Sequence, residues 1–298
     1  MYLCAQFLTE LAEKLDMITK LRLVQHDCIL ANLTENLNKH LALCEQAIRD
    51  GIEFIAFPEL SLTGYLVQDA AQDTAMHISD KRLHPLCELS KHISILCGGI
   101  ELSDDFAVYN AAFFFEDGVA KTVHRKIYLP TYGMFEEHRY FRAGQRIEPF
   151  ESRRLGKVGV AICEDNWHVS VPFLQAVQGA KVLFAMVNSP LRIDFQKGKI
   201  GVAEVWQRIT RIYAELFSVY VVFVSRVGNE DGLSYWGGSE VISPEGVQIA
   251  ALPQFVESTL DCTIDISAVK RARLRSPHFL DENIRLISAE MQRILSNT

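Results

Sequence analysis

The stretch Gly159–His168, GVAICEDNWH, carries an apolar run into a cysteine and then at once into acid, amide and indole. The run from Lys157 to Cys163 is short and continuously apolar at Val158, Val160 and Ile162, which reads as a buried strand rather than a helix. Cysteine is among the most buried residue types, so a strand-end core residue is the plain reading of Cys163. A thiol placed just beyond a strand is also where α/β folds keep their chemistry. The surrounding sequence decides between the two.

Outward from this strand, apolar runs and helical stripes interleave along the whole chain. Upstream, Leu21–Cys28 reads as a first strand, and Leu33, Leu37, Leu41, Cys44 and Ile48 form a helical stripe that stops at Gly51. Ile52–Phe57 is a short strand closed by Pro58-Glu59. A helix near Lys81–Lys91 leads into the strand ISILCGGIEL. Ala107–Lys126 reads as a hairpin, because Asp117-Gly118 is a tight-turn signal between two β-rich runs. Downstream, a helix to about Gly179 precedes the strand KVLFAMV. Val202, Val205, Ile209, Ile212 and Leu216 predict the buried stripe of a further helix. Strands at Val219–Arg226, on both sides of the turn Ser243–Gly246, and at Val256–Ile264 follow, with a basic segment and a final helix. No linker or repeat divides residues 21–298, and residues 1–20 read as an amphipathic helical extension.

The alternation makes the class α/β with mixed sheets. The 298 residues suffice for a large core, and 49% hydrophobic with 22% charged residues is ordinary globular composition. A net charge of −7 gives no electrostatic case for nucleic acid or an anionic membrane, and no apolar run has membrane-spanning length. Seven scattered cysteines without a CxxC pair form neither a disulfide framework nor a zinc pattern, so a reducing, cytoplasmic setting is expected, with no metal and no cofactor.

Two other strand ends carry reactive groups: Glu59 after IAFP and Lys126 after KTVHR. Singly, each has a bland reading, a helix-start carboxylate and a solvated lysine. With Cys163 they form a complete acyl-transfer set. An ammonium near the thiol is expected to lower its pKa. A carboxylate can take the thiol proton and return it to a leaving amine, and the ammonium can stabilise the oxyanion. His168, five residues beyond the cysteine, offers a Cys–His pair, but a surface imidazole is the simpler reading. Trp167, Trp206 and Trp236 read as packing before they read as pocket walls.

Phe57–Tyr65 (FPELSLTGY), His124–Phe141 (HRKIYLPTYGMFEEHRYF) and Gly159–His168 resemble, in order, the three signature blocks of the nitrilase superfamily of carbon–nitrogen hydrolases. The resemblance runs from about Leu21 to about Ile266. It implies a four-layer α-β-β-α sandwich. It also implies a triad with Glu59 as general base and acid, Lys126 as oxyanion stabiliser and Cys163 as nucleophile. A second supporting glutamate is implied, which alignment on Arg-Tyr-Phe assigns to Glu137 over Glu136, and the Glu164 N–H is the implied second oxyanion donor. Among branches, Leu129–Phe141, CEDNW, Asn188-Ser189-Pro190 and Ser225–Gly246 look most like the glutamine-hydrolysing domain of glutamine-dependent NAD synthetases. That likeness places Tyr132 and Ser189 in the substrate pocket, with Arg192, Lys197 and Lys199 competing for one basic position.

No SGGxDS or Walker-type phosphate loop occurs in the sequence, so the chain is not expected to make NAD by itself. The expected activity is hydrolysis of a small carboxamide through a cysteine thioester. The alternatives are a glutaminase subunit feeding ammonia to a separate synthetase partner, a nitrilase, and, in a different class, a catalytically silent binding or scaffold protein. The resemblance further implies a homodimer or larger homo-oligomer.

Overall fold

The computed structural model describes residues 18–191, 193–194 and 199–297. Its strands, in chain order, are β1 (Ile18–Gln25), β2 (Phe54–Ala56), β3 (Ser94–Leu102), β4 (Val108–Glu116), β5 (Val119–Arg125), β6 (Phe150–Ser152), β7 (Gly156–Ile162), β8 (Val182–Val187), β9 (Ile193–Asp194), β10 (Lys199–Ile200), β11 (Tyr220–Ser225), β12 (Val227–Glu230), β13 (Leu233–Trp236), β14 (Glu240–Ile242), β15 (Gln248–Ala251) and β16 (Ser258–Asp265). Two six-stranded sheets result, ordered β16-β1-β2-β3-β4-β5 and β15-β14-β11-β8-β7-β6. Each has three parallel central strands, β1-β2-β3 and β7-β8-β11, with antiparallel strands outside them.

The period-two alternation of strand side chains divides each strand between two cores. Phe54 and Ala56 face inward while Ile55 faces out; Phe184 and Met186 face inward while Leu183 faces out. The inner faces meet in one buried cluster, where Phe54 stacks on Phe184 with ring centroids 5.2 Å apart. The outer face of the first sheet packs under the helices Leu33–Arg49 and His84–Leu89. The outer face of the second packs under Ser170–Val177 and Gly201–Phe217. The fold is the α-β-β-α sandwich.

Two expectations are corrected. Residues 18–20 belong to β1 and not to an N-terminal extension: Thr19 is buried, pairs with Ile264 and donates its hydroxyl to the Arg154 carbonyl at 2.7 Å. The rest of the expected extension, residues 1–17, lies outside the described residues. The buried line of Gly201–Phe217 is also displaced from the expected stripe. Trp206, Tyr213 and Phe217, with Ala203, Thr210 and Ala214, face the sheet. Ile212 and Leu216 are 51% and 56% exposed, and Val202, Val205 and Ile209 flank the contact. Aromatic rings bury the largest areas, so their line wins over the aliphatic one.

No helix of the described residues is long and apolar enough to cross a membrane.

Candidate active site

Strand β2 ends at Ala56, and Phe57-Pro58-Glu59 carries the chain over β3, with Phe57 N–H donating to Leu96 O at 2.8 Å and Leu62 N–H to Gly98 O at 3.0 Å. The approach is so close that a Cβ at position 98 would lie 2.3 Å from Leu60 N and 2.4 Å from Pro58 O. Glycine is required there for the loop to sit down. Leu60, immediately after the glutamate, holds a left-handed φ of 46°. The Glu59 carboxylate is 1% exposed and held from three sides. Its Oε1 accepts from Asn110 Nδ2 at 2.8 Å and Lys126 Nζ at 2.7 Å, and its Oε2 accepts from the Asn188 backbone N–H at 2.8 Å.

Lys126 directly follows β5 and is fully buried. Its backbone is locked on both sides, donating to Asn110 O at 2.9 Å and accepting from Gly144 N at 2.7 Å. Nζ reaches a second carboxylate, Glu137 Oε1, at 2.7 Å. Glu136, the other candidate, points to the surface beside Arg139. The Tyr65 hydroxyl donates to the same Glu137 oxygen at 2.6 Å. Burial alone would push the ammonium down; the carboxylates of Glu137 and Glu59 overcome it and hold Lys126 well above the ordinary lysine range. Burial pushes the Glu137 carboxyl up to about 7, with Lys126 opposing and Glu59 adding to the rise.

Cys163 stands at the end of β7 with φ of 44°, a left-handed value uncommon for a residue with a side chain. Asp165 fastens the turn. Its Oδ2 accepts from Ile162 N at 3.0 Å, and its Oδ1 accepts from Ile127 N at 3.0 Å and Tyr128 N at 2.8 Å, tying the segment after Lys126 to the cysteine turn. Pairing of Ile162 with Met186 sets Cys163 level with Val187, one step from the Asn188 N–H that binds Glu59. Cys163 as a residue is only partly buried, yet its thiol pKa moves opposite to expectation. Desolvation raises it first, Glu59 and Glu137 raise it further, and Lys126 only partly offsets them, so it lies well above the usual cysteine range. Two carboxylates against one ammonium leave a net negative cluster, which disfavours a resting thiolate.

Cys163 opens on a cleft of about 40 Å3 shared with Tyr132, Glu164, Trp167, Ser189 and Trp206. Tyr132 Oη donates to Glu164 Oε2 at 2.9 Å, and Trp206 Nε1 donates to Ser189 Oγ at 3.2 Å. His168 is not directed at the thiol; it stacks on Tyr128 with centroids 3.5 Å apart and lies 3.9 Å from Glu164. Trp236 is buried against Phe223. Arg192 and Lys197 lie outside the described residues, as does the side chain of Lys199. A larger groove of about 860 Å3 runs along β5 between the Glu101–Arg125 and Asp105–Arg142 pairs and contains none of these cleft residues. Among the described residues no three His, Cys, Asp or Glu side chains group as metal ligands.

Sequence reasoning missed Asn110, Asn188, Tyr65 and Asp165. Asn110 left a signal, a lone amide inside the apolar run of a strand, where an unpartnered polar group is costly. Asp165 and Tyr65 sit inside the motifs already singled out.

Residues 20–274 match the carbon-nitrogen hydrolase family model. The glutamine-dependent NAD(+) synthetase of Aquifex aeolicus is 30% identical over 257 residues, 85% of this chain and 44% of that protein. A probable nitrilase of Schizosaccharomyces pombe is 26% identical over 86% of this chain and 92% of its own length. The chain thus spans a little under half the length of the synthetases it matches. Among solved structures, a carbon-nitrogen hydrolase from Helicobacter pylori superimposes with a TM-score of 0.82 at 22% identity, covering 92% of this chain and 98% of that one. A match over so much of the chain, on the same sandwich, makes this protein a member of the carbon-nitrogen hydrolase family, whose enzymes act on C–N bonds.

Proposed function

We propose that the protein is a thiol-dependent amidase, converting a small carboxamide to its acid and ammonia through a Cys163 thioester. The observation that carries this reading is the hydrogen-bonded Glu59–Lys126–Glu137 cluster behind a cysteine that lines the cleft. Glu59 Oε2 accepts one backbone N–H and keeps a lone pair for the thiol proton. Because the thiol rests protonated, transfer to Glu59 accompanies attack of Sγ on the amide carbon. Glu59 then returns that proton to the departing nitrogen, and the C–N bond breaks. Water attacks the thioester in the second half-reaction, giving its proton through Glu59 to the leaving sulfur.

An ammonium has three donors, and two of those on Lys126 are committed to carboxylates. The third serves the oxyanion, with the Glu164 N–H as its companion. Glu137 holds Lys126 in place. Tyr132, Glu164 and Ser189 form the substrate wall. A carboxylate at that wall suits a substrate bearing an ammonium group, which makes glutamine the first amide to try, in keeping with the synthetase relatives.

Ammonia release from a panel of amides, with glutamine first, should be detectable for the native protein and absent for Cys163→Ala. Undiminished release from the variant would overturn the reading. Activity that emerges only on adding an NAD synthetase chain would instead mark a subunit that supplies ammonia. A folded protein whose Cys163 reacts with no acyl donor would be the silent binding protein.

A further inference from the structure

Beneath the Glu59–Lys126–Glu137 cluster lies a second buried ion pair that the reaction does not use. Arg226 Nη1 donates to Glu230 Oε2 at 2.6 Å, with both side chains 1% exposed. Arg226 sits in the stretch SRVGNEDG just after β11, and its guanidinium lies 4.3 Å over the Tyr235 ring. Its Nη2 donates to Asp27 Oδ1 at 2.9 Å, in the loop that follows β1. The pair therefore bridges loops from both sheets.

Its other end is aimed at the cluster. Glu230 Oε1 accepts from the backbone N–H groups of Tyr65 at 2.9 Å and Leu66 at 2.6 Å. A Cβ at Gly64 would stand 2.7 Å from Glu230 Oε2, so a glycine is what lets the carboxylate reach that backbone. Tyr65, fixed in this way, donates its hydroxyl to Glu137 Oε1 at 2.6 Å, the oxygen that also binds Lys126. Tyr65 does not line the Cys163 cleft; it lines a separate cavity of about 70 Å3 with Met134, Tyr140 and Phe141.

We infer that Tyr65 and the Arg226–Glu230 pair are positioning residues, which hold Glu137 and, through it, aim the Lys126 ammonium at the oxyanion. This rests on the amidase reading for the role of Lys126. A buried charge pair costs desolvation and is weak evidence for stability, so its placement against one backbone segment calls for another explanation. A displacement of about 1 Å at a catalytic group is enough to slow a reaction about a hundredfold.

The test compares two reactions of Cys163 that differ in one respect. Acylation by p-nitrophenyl acetate passes through a tetrahedral oxyanion: Sγ bonds to the carbonyl carbon, the thiol proton goes to Glu59, and p-nitrophenolate leaves. Alkylation by iodoacetamide displaces iodide at a saturated carbon and forms no oxyanion. Both rate constants are followed by intact mass. In Tyr65→Phe the acylation rate should fall about ten- to a hundredfold while alkylation stays within about twofold. Glu230→Gln should show the same signature, and Tyr140→Phe, on the same cavity wall, should leave both rates alone. Equal acylation in native protein and Tyr65→Phe would overturn the inference, as would a parallel fall of both rates, which is what loss of folded protein or a general change at the thiol produces. Native protein that is alkylated but never acylated at Cys163 would instead sink the amidase reading, and the inference with it.

Discussion

The two sheets repeat one plan, three parallel strands with antiparallel flanks, but they divide the chemistry unequally. The first sends Glu59 from β2 and Lys126 from β5, with Asn110 on β4 between them, all sealed from water. The second sends Cys163 from β7 and the Asn188 N–H from just beyond β8, and its thiol faces the cleft. Charge is kept in the dry half and the proposed nucleophile in the open half. A sealed ion cluster holds its geometry without competition from solvent, and each of its interactions is stronger for the low dielectric. The negative balance of that cluster also explains why the thiol rests protonated, against the simple expectation that a neighbouring lysine lowers its pKa. The difference teaches that substitutions in the two halves should fail in different ways.

The largest effect belongs to the open half. Cys163→Ala should reduce amide hydrolysis by at least about 10^4-fold, measured as ammonia release, with an unchanged urea midpoint. Alanine removes only the sulfur, which packs at the margin of two core clusters, and keeps the same left-handed strain at φ 44°. Cys163→Gly relieves that strain and should be more stable than Cys163→Ala by about 1 kcal/mol. A large stability loss in either variant would mean that the thiol is part of the core, not presented by it.

In the dry half, Lys126→Met should lose both properties. It leaves the Glu59 and Glu137 carboxylates buried without their shared cation, and breaking a buried ion pair costs about 3–5 kcal/mol. Denaturant unfolding reads this directly. A stable, merely inactive Lys126→Met would show that the two carboxylates readily take up protons and that the cluster is less tightly interdependent than its geometry indicates.

Gly98→Ala is expected to keep more activity than either of these variants and to fall between them in stability. The added methyl collides with the Pro58–Leu60 backbone, so the Glu59 loop must lift, at a cost of about 1–3 kcal/mol for overpacking and about a hundredfold in turnover. Ala substitution at Gly51, which has open space around it but a φ of 72°, controls for backbone strain without touching the loop.

The sequence revealed where the three groups of the proposed triad leave their strands, because strand ends are marked by the close of apolar runs, and Cys163, Glu59 and Lys126 each stand at one. The three motif blocks carried the sandwich. What stayed hidden depends on contacts across long separations. The Asn110–Glu59 and Asn188–Glu59 bonds join residues 51 and 129 positions apart, and periodicity says nothing of such pairs. The sign of the thiol shift was missed for a related reason: a lysine's effect was legible, whereas the desolvation and the second carboxylate that reverse it exist only once the chain is folded. On the helix Gly201–Phe217, competition between an aliphatic and an aromatic line could be settled only by the sheet beneath.

An effect on stability alone, with the triad untouched, sharpens the comparison by pH. His26 and His40 both lie in the first half, packed edge to face 5.1 Å apart behind the Glu59 loop. His40 Nδ1 donates to the Asn36 carbonyl at 2.7 Å, leaving Nε2 to accept from the Ser61 hydroxyl at 2.9 Å. Burial keeps both neutral, pushing His40 down to about 3 and His26 well below the ordinary range. In the unfolded chain each titrates near ~6.5, so below that pH the unfolded state binds protons that the folded state refuses. Their contribution is therefore complete above pH ~6.5 and is lost as pH falls toward about 3, with a slope of up to ~1.4 kcal/mol per pH unit for each histidine. Urea unfolding at pH 7.5, 6.0 and 5.0 should show this decline, and His26→Leu, which removes one imidazole lacking a hydrogen bond of good geometry, should make it shallower. An unaltered slope in that variant would show that His26 takes up its proton in the folded protein, and that the first half is less dry than the second.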